Sequence, residues 1–256
     1  MTGVLPVTLE DSTKIVQALL NSGKEYVCVM KLHGNAEEVR VRNVLAEFQD
    51  QIFQRPPLRA SVKRQLRIRR IYYIDFLEID GRNVLFKVGC ESGTYIRKLC
   101  YDVGEILGVG AHMQELRRTR AGPFTENENC VRLHDVAYWF SEWQEKKDPK
   151  ILHKFVQPME NALKLVPKIV VRDSAVDALC HGANLTAPGI LAVETGITKG
   201  TMVAAFTLKG EAIALTKSLL LTEEIMKVKH GTVATLQRVV MQRSTYPKVW
   251  KSGNAK

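Results

Sequence analysis

No apolar run in the 256 residues approaches the roughly 18 that carry a helix across a bilayer. The opening Met1-Thr2-Gly3-Val4-Leu5-Pro6 has no basic flank, so no secretory leader is expected. The five cysteines, at 28, 90, 100, 130 and 180, are odd in number and never spaced Cys-x-x-Cys. Neither a disulfide framework nor a zinc site is signalled. Cys28, Cys90 and Cys100 lie in apolar periodic segments and read as small buried hydrophobes. These absences describe a soluble chain of a reducing, intracellular compartment. Motifs for cofactors are equally scarce. Gly108-Val109-Gly110 could open a dinucleotide fingerprint, but Met113 stands where the third glycine belongs. In Gly89-Cys90-Glu91-Ser92-Gly93 the serine comes one place too late for a nucleophile elbow. There is no Walker loop and no His-Glu-x-x-His, and the six histidines have no partner at ligand spacing. No metal and no cofactor are expected.

Acidic residues are also in short supply: 27, against 37 Lys and Arg, for a formal charge of +10. A folded protein this basic is drawn to a polyanion. The run from Arg55 to Arg70 holds seven basic residues (55, 59, 63, 64, 67, 69 and 70) and no acid. Lys and Arg also protect exposed strand edges, but an uncompensated run is neutralised best by a phosphate backbone, through release of counterions. Arg117-Arg118-Thr119-Arg120 forms a second cluster.

Periodicity gives the elements. Ser12-Thr13 leads into a short amphipathic helix closed by Gly23. From Glu25 to Leu32, Tyr26, Cys28, Met30 and Leu32 share one face and Val27 and Val29 the other, which predicts a central strand covered on both sides. Residues 36–48 are helical, and 51–91 strand-like with a hairpin turn at Asp80-Gly81. Thr94 is expected to cap a helix bearing Ile96, Leu99, Cys100, Val103, Ile106 and Leu107 on one face. A strand follows over 111–121, and helices over 132–143 and 150–165. The composition then changes: to Pro167 there are 25 basic and 21 acidic residues, after it 12 and 6. Short strands punctuated by Gly and Pro follow, as in a small β-barrel. Two domains are expected, 1–166 and 167–250, with a tail at 251–256.

Several stretches together resemble one family. They are Gly3-Val4-Leu5-Pro6-Val7, Gly23-Lys24-Glu25-Tyr26, Gln54-Arg55-Pro56-Pro57-Leu58, Val62-Lys63-Arg64, Gly93-Thr94-Tyr95-Ile96-Arg97 and Leu116-Arg117-Arg118-Thr119-Arg120-Ala121-Gly122. They are similar to the archaeal relatives of dyskerin, the pseudouridine synthases of H/ACA guide-RNA particles. Those enzymes are related in turn to the bacterial tRNA pseudouridine synthase of the TΨC loop. His181-Gly182-Ala183-Asn184-Leu185-Thr186-Ala187-Pro188-Gly189 is similar to the motif of that family's PUA domain. The likeness runs from residue 2 to about Trp250.

The resemblance implies a mixed α/β (α+β) catalytic domain on a largely antiparallel sheet, lacking its first strands, followed by a PUA β-barrel. It implies that Tyr26 stacks on the flipped uracil and takes the carbon-5 proton, and that Arg97 pairs with a nucleophilic Asp. Tyr95 and Leu116 become walls of the uridine pocket, though Leu116 reads more readily as packing than as specificity. The family carries its Asp in a Leu-Asp-Pro-Lys-Val-Thr/Ser-Gly segment. Thr2-Gly3 matches the end of that segment and Met1 stands where the family has Val. The Asp would thus lie three positions before residue 1, and the chain as given is expected to be inactive alone. Lys63, Arg64 and Arg67 are expected on RNA, with Gly182, Leu185, Pro188 and Gly189 of the PUA domain on the guide RNA's ACA end. Small H/ACA core proteins are the implied protein partners, rRNA or tRNA the substrate, and no membrane. Lacking the Lys-rich tail of eukaryotic relatives, the chain reads as archaeal and cytoplasmic. A noncatalytic RNA-binding scaffold is the rival reading. A PUA-bearing methyltransferase is a third, opposed by the missing glycine-rich cofactor loop.

Overall fold

The computed structural model describes residues 1–56, 62–128 and 130–248. The chain runs β1 (Thr2–Gly3), a 3-10 turn (Glu10–Ile15), α1 (Val16–Asn21), β2 (Lys24–Leu32), α2 (Glu38–Glu47), β3 (Asp50–Gln54), β4 (Arg67–Asp80) and β5 (Asn83–Cys90). It continues through α3 (Ile96–Leu107), β6 (Ala111–Ala121), β7 (Phe124–Thr125), α4 (Leu133–Lys146), α5 (Pro149–Leu152) and a second 3-10 turn (Met159–Leu163). Then come β8 (Lys168–Val171), α6 (Asp173–Cys180), β9 (Leu185–Thr186), β10 (Ile190–Val193), β11 (Met202–Phe206), β12 (Ala212–Ser218), α7 (Thr222–Lys227) and β13 (Thr232–Val239). Pro57, Leu58 and Arg59 of the basic run, Trp250 and the 251–256 tail lie outside the described residues. No described helix is long and apolar enough to cross a membrane.

Two compact units form, one from Met1–Pro6 with Leu20–Phe155, the other from Val7–Leu19 with the chain from Val156 on. The first is built on one sheet in the order β1-β6-β2-β5-β4-β3, with β7 beside β6. Every pairing is antiparallel except that of β1 with β6. The expected central strand is β2, flanked by β5 and β6, with Cys28, Met30 and Leu32 fully buried. Against them α3 lays Leu99, Cys100, Val103 and Leu107. Each such aliphatic side chain contributes about 1.5–3 kcal/mol when removed from water. The β4–β5 hairpin turns at Gly81, whose φ of +56° is the left-handed conformation that glycine adopts without steric cost.

In the second unit one six-stranded sheet runs β10-β8-β11-β12-β13-β9, parallel only between β11 and β8. Its core gathers Ile169, Val171, Val176, Leu179, Val203, Ile213 and Val233. The 3-10 turn of residues 10–15 belongs to this unit; Lys14 Nζ donates to the Val240 carbonyl at 3.4 Å. Composition changes at Pro167, whereas packing changes at Val156 and takes in residues 7–19 as well.

Two local expectations fail. The helix predicted over 150–165 is α5 followed by the 3-10 turn of 159–163, because Pro158 between them lacks an N–H and its ring crowds the preceding turn. Thr94 does not cap α3: Tyr95 is the N-cap residue, and the Thr94 hydroxyl donates instead to the Glu91 carbonyl at 2.7 Å.

Candidate functional site

Tyr26 sits near the start of β2, half-buried against the core. On one side it is in register with Val88 of β5, on the other with Arg118 of β6. The second pairing depends on a β-bulge. Lys24 faces Ala121 and Glu25 faces Arg120, but the register then slips, Thr119 is passed over, and Tyr26 meets Arg118. A bulge inserts one unpaired residue and re-aims its neighbours. Arg118 hydrogen-bonds Tyr26, and its Nε donates to the Val4 carbonyl at 2.6 Å. Val4 N–H returns a bond to the Arg118 carbonyl at 2.8 Å. One guanidinium therefore joins the N-terminal segment to the Tyr26 ring. Gly3 makes the approach possible: its φ is +99°, and a Cβ there would lie 2.1 Å from the Arg118 carbonyl oxygen.

The site is set mostly by desolvation and positive charge. Burial raises the Tyr26 phenol above its usual pKa, Cys90 nearby adds to this, and the charge and hydrogen bond of Arg118 only partly offset it. Burial likewise lowers Lys24, helped by repulsion from Arg118. The Cys90 thiol is pushed up to about 11, chiefly by burial. The skipped Thr119 donates to Glu25 at 2.7 Å, and Tyr73 also donates to this carboxylate. Burial pushes the Glu25 carboxyl up, yet these bonds, with the charges of Lys87 and Arg120, hold it below the usual range.

β5 ends at Cys90, in register with Lys24, so the turn that follows starts at the Tyr26 end of the sheet. Glu91 N–H donates to the Arg70 carbonyl at 2.8 Å, and Glu91 accepts from the Arg70 amide at 3.1 Å. The turn delivers Tyr95, half-buried at the N-cap of α3, and Arg97, exposed in its first turn. Buried Gln54, at the end of β3, clamps the Tyr95 peptide: its Nε2 donates to the Tyr95 carbonyl at 3.1 Å, and its Oε1 accepts from the Tyr95 amide at 2.9 Å. Leu116 lies on β6 opposite Cys28 and is buried in the core cluster.

The basic run is less uncompensated than its sequence reads. Arg70 pairs with Asp50 at 3.2 Å and Arg69 with Glu91 at 3.7 Å, because β3 and the turn after β5 bring acids from outside the run. Lys63 and Arg64 are exposed, and Arg67 leans back on the Lys63 carbonyl at 3.4 Å. In the second unit, a groove of about 300 Å³ is lined by Ser174, Ala178, Asn184, Leu185, Pro188 and Gly189. Leu185 is buried in its floor and Pro188 exposed at its rim. A Cβ at Gly189 would meet the Ala175 side chain at 3.0 Å, a tight contact. Gly182, in the same segment, is exposed with a φ of +101°. Arg118 and Gln54 both lie in the matched stretches, but neither the bulge nor a contact across strands is visible in an alternation pattern.

Three family profiles cover nearly all of the chain: "TruB family pseudouridylate synthase (N terminal domain)" over residues 1–96, "tRNA pseudouridylate synthase B C-terminal domain" over 97–164, and "PUA domain" over 167–240. The chain is 56% identical over 250 residues to the "Probable tRNA pseudouridine synthase B" of Methanopyrus kandleri, covering 98% of this chain and 74% of that one. The protein of the same description from Pyrococcus horikoshii is 53% identical, with 98% and 75% covered. Among solved structures it is similar to the chain matched in "Crystal Structure of a Cbf5-Nop10-Gar1 Complex", with a TM-score of 0.93 at 50% identity over 96% of this chain and 75% of that one. It is also similar to the chain matched in "Structure of H/ACA RNP bound to a substrate RNA containing 2'-deoxyuridine", with a TM-score of 0.89 at 47% identity, covering 97% and 75%.

Proposed function

Because this chain belongs to the TruB family of pseudouridylate synthases, we propose that it is the uridine-isomerising subunit of an H/ACA-type guide-RNA particle. Its substrate in this reading is rRNA, tRNA or both. The observation that carries the guide-RNA part is the likeness, over nearly the whole chain, to a subunit solved in complex with Nop10 and Gar1. Small proteins of that kind would dock on the larger unit.

Isomerisation breaks the bond from the sugar to N1 of uracil and forms one to carbon 5, so the base must leave the stack and turn. In this reading Tyr26 stacks on the flipped ring and relays the carbon-5 proton, giving up its own O–H proton as it takes that one, with Tyr95 and Leu116 as pocket walls. Arg97 holds a nucleophilic carboxylate ionised, as a neighbouring guanidinium does. Lys63, Arg64 and Arg67 neutralise RNA phosphates, and the groove at Gly182, Leu185, Pro188 and Gly189 takes the guide RNA's end. The carboxylate comes from the family's Leu-Asp-Pro-Lys-Val segment, which is not among the 256 residues. The parallel register of Thr2 with Arg117 supports this, since it aims Met1 and anything joined to it along Leu116.

The test is an assay of the 256-residue polypeptide with guide RNA, partner proteins and labelled uridine substrate. It should bind RNA and form no pseudouridine; joining Leu-Asp-Pro-Lys ahead of a Met1→Val variant should restore turnover. Turnover by the unextended chain would show that another residue serves as nucleophile. No turnover after extension would favour a noncatalytic RNA-binding scaffold.

A further inference from the structure

We propose that Gln54 is a positioning residue of the uridine site: its side-chain amide fixes the Tyr95 peptide, and with it the start of the helix that carries Arg97. The inference rests on the uridine-site reading above. Gln54 ends an edge strand whose other residues are exposed or half-exposed, yet it is only 2% exposed itself. A buried primary amide is costly unless both its donor and its acceptor are used. Here both go to a single residue, to the N–H and C=O of Tyr95, at 2.9 and 3.1 Å.

That residue is where α3 begins. The Tyr95 carbonyl also accepts from the Lys98 and Leu99 amides at 3.1 and 3.0 Å, so it opens the helical ladder. No side chain caps the helix at Tyr95. Thr94, one position ahead of the first helical acceptor, is occupied with Glu91. Gln54 thus does from β3 what a local cap does elsewhere, and it does so across 41 residues of sequence. A local cap would hold only the helix end. A clamp from the sheet fixes the helix end relative to the strands, one of which bears Tyr26. A carboxylate could accept the Tyr95 N–H but would oppose its carbonyl, and an apolar residue could do neither. The side chain that matches one residue's N–H and C=O on both counts is an amide.

The experiment follows base seating and needs no turnover. A tRNA TΨC-arm hairpin carrying one 5-fluorouridine at the modified position is titrated with the chain and observed by fluorine NMR. The wild-type chain should shift the fluorine resonance as the base enters the pocket. Gln54→Met should keep hairpin affinity within about twofold by fluorescence anisotropy, lower the melting temperature by about 4–8 °C for its two lost bonds, and lose the shifted resonance. Gln54→Glu should behave like Gln54→Met at high pH and recover the shifted resonance as pH falls. A protonated carboxyl again offers one donor and one acceptor, while Gln54→Met gains nothing from acid. A shifted resonance that Gln54→Met retains overturns the proposal and leaves the uridine site standing. If the wild-type chain gives no shift, the uridine-site reading falls and this one with it. If Gln54→Met does not fold, Gln54→Glu decides: reversible return of the resonance at unchanged circular dichroism supports the role, and no return overturns it.

Discussion

Replacing Arg118 with methionine tests whether one guanidinium joins two parts of the site. Methionine keeps much of the stem and removes both polar contacts, the 2.6 Å bond to the Val4 carbonyl and the bond to Tyr26. A hydrogen bond to a charged group contributes about 1.5–3 kcal/mol. Arg118 is partly exposed, so the lower end applies, and the two bonds together contribute about 3 kcal/mol. For a chain of this size 1 kcal/mol moves the midpoint by about 2–4 °C, giving a fall of about 6–12 °C by calorimetry. Arg118→Lys keeps the charge but not the Nε geometry, so it should fall about half as far. A second readout isolates the Tyr26 contact. The folded Tyr26 pKa lies above the ordinary 10.0 because burial outweighs Arg118, so removing Arg118 must raise it further. In an absorbance titration, the component lost in Tyr26→Phe should move to higher pH in Arg118→Met. The sign for stability follows: a raised phenol pKa leaves stability intact below pH 10 and erodes it as pH climbs through the folded value. Arg118→Met should therefore lose more stability at alkaline pH than at neutral. A midpoint within 1 °C of wild type (about a third of a kcal/mol), or a Tyr26 component that does not rise, would refute the bridge.

Gly89→Ala should destabilise the first unit by about 1–3 kcal/mol in urea titration, the usual cost of overpacking, because its Cβ would sit 2.3 Å from the Tyr73 ring. Lys63→Gln with Arg64→Gln should lower the salt slope of duplex RNA binding by about two, whereas Arg70→Gln, whose charge Asp50 already meets, should change it little. One thiol per chain, exposed Cys130, should react promptly with a disulfide reagent at pH 8. The buried Cys28, Cys90, Cys100 and Cys180 should follow only in denaturant, Cys90 being held protonated besides.

Where one residue's chemistry dictates local shape, the sequence was legible. Alternating apolar residues found β2 as the central strand, and Asp80-Gly81 found the hairpin. The apolar positions of α3 found its buried face, with the exception of Ile106, which is half-exposed. What depended on a partner far along the chain was not legible. Thr94 looked like a cap because its hydroxyl could serve as one; that hydroxyl donates to the Glu91 carbonyl instead, and Gln54, from a distant strand, takes the Tyr95 amide. The run of 55–70 looked uncompensated because Asp50 and Glu91 lie outside it. Tyr26 and Arg97 stood out through the family resemblance, but Arg118 gained its neighbour from a one-residue slip of register that leaves no mark on the pattern. The 150–165 helix was over-read across Pro158, a breaker in plain view.

The N-terminal strand also sets an order of events. β1 pairs with β6 through residues 115 positions apart, whereas β4 and β5 meet across a two-residue turn. Closing a loop of that length adds several kcal/mol of entropy to be overcome before the contact is rewarded, against far less for the hairpin. During synthesis Thr2–Val4 must wait until Arg118 has left the ribosome, by which time β2, α3 and β5 can already have condensed around the core. Formation rates fall as contacts grow more remote. The body of the sheet can therefore form before the corner that holds Tyr26, Arg118 and Val4 together. Amide protons in that corner should exchange before those of β2 and β5, and a chain recovering from denaturant should regain its core before its site.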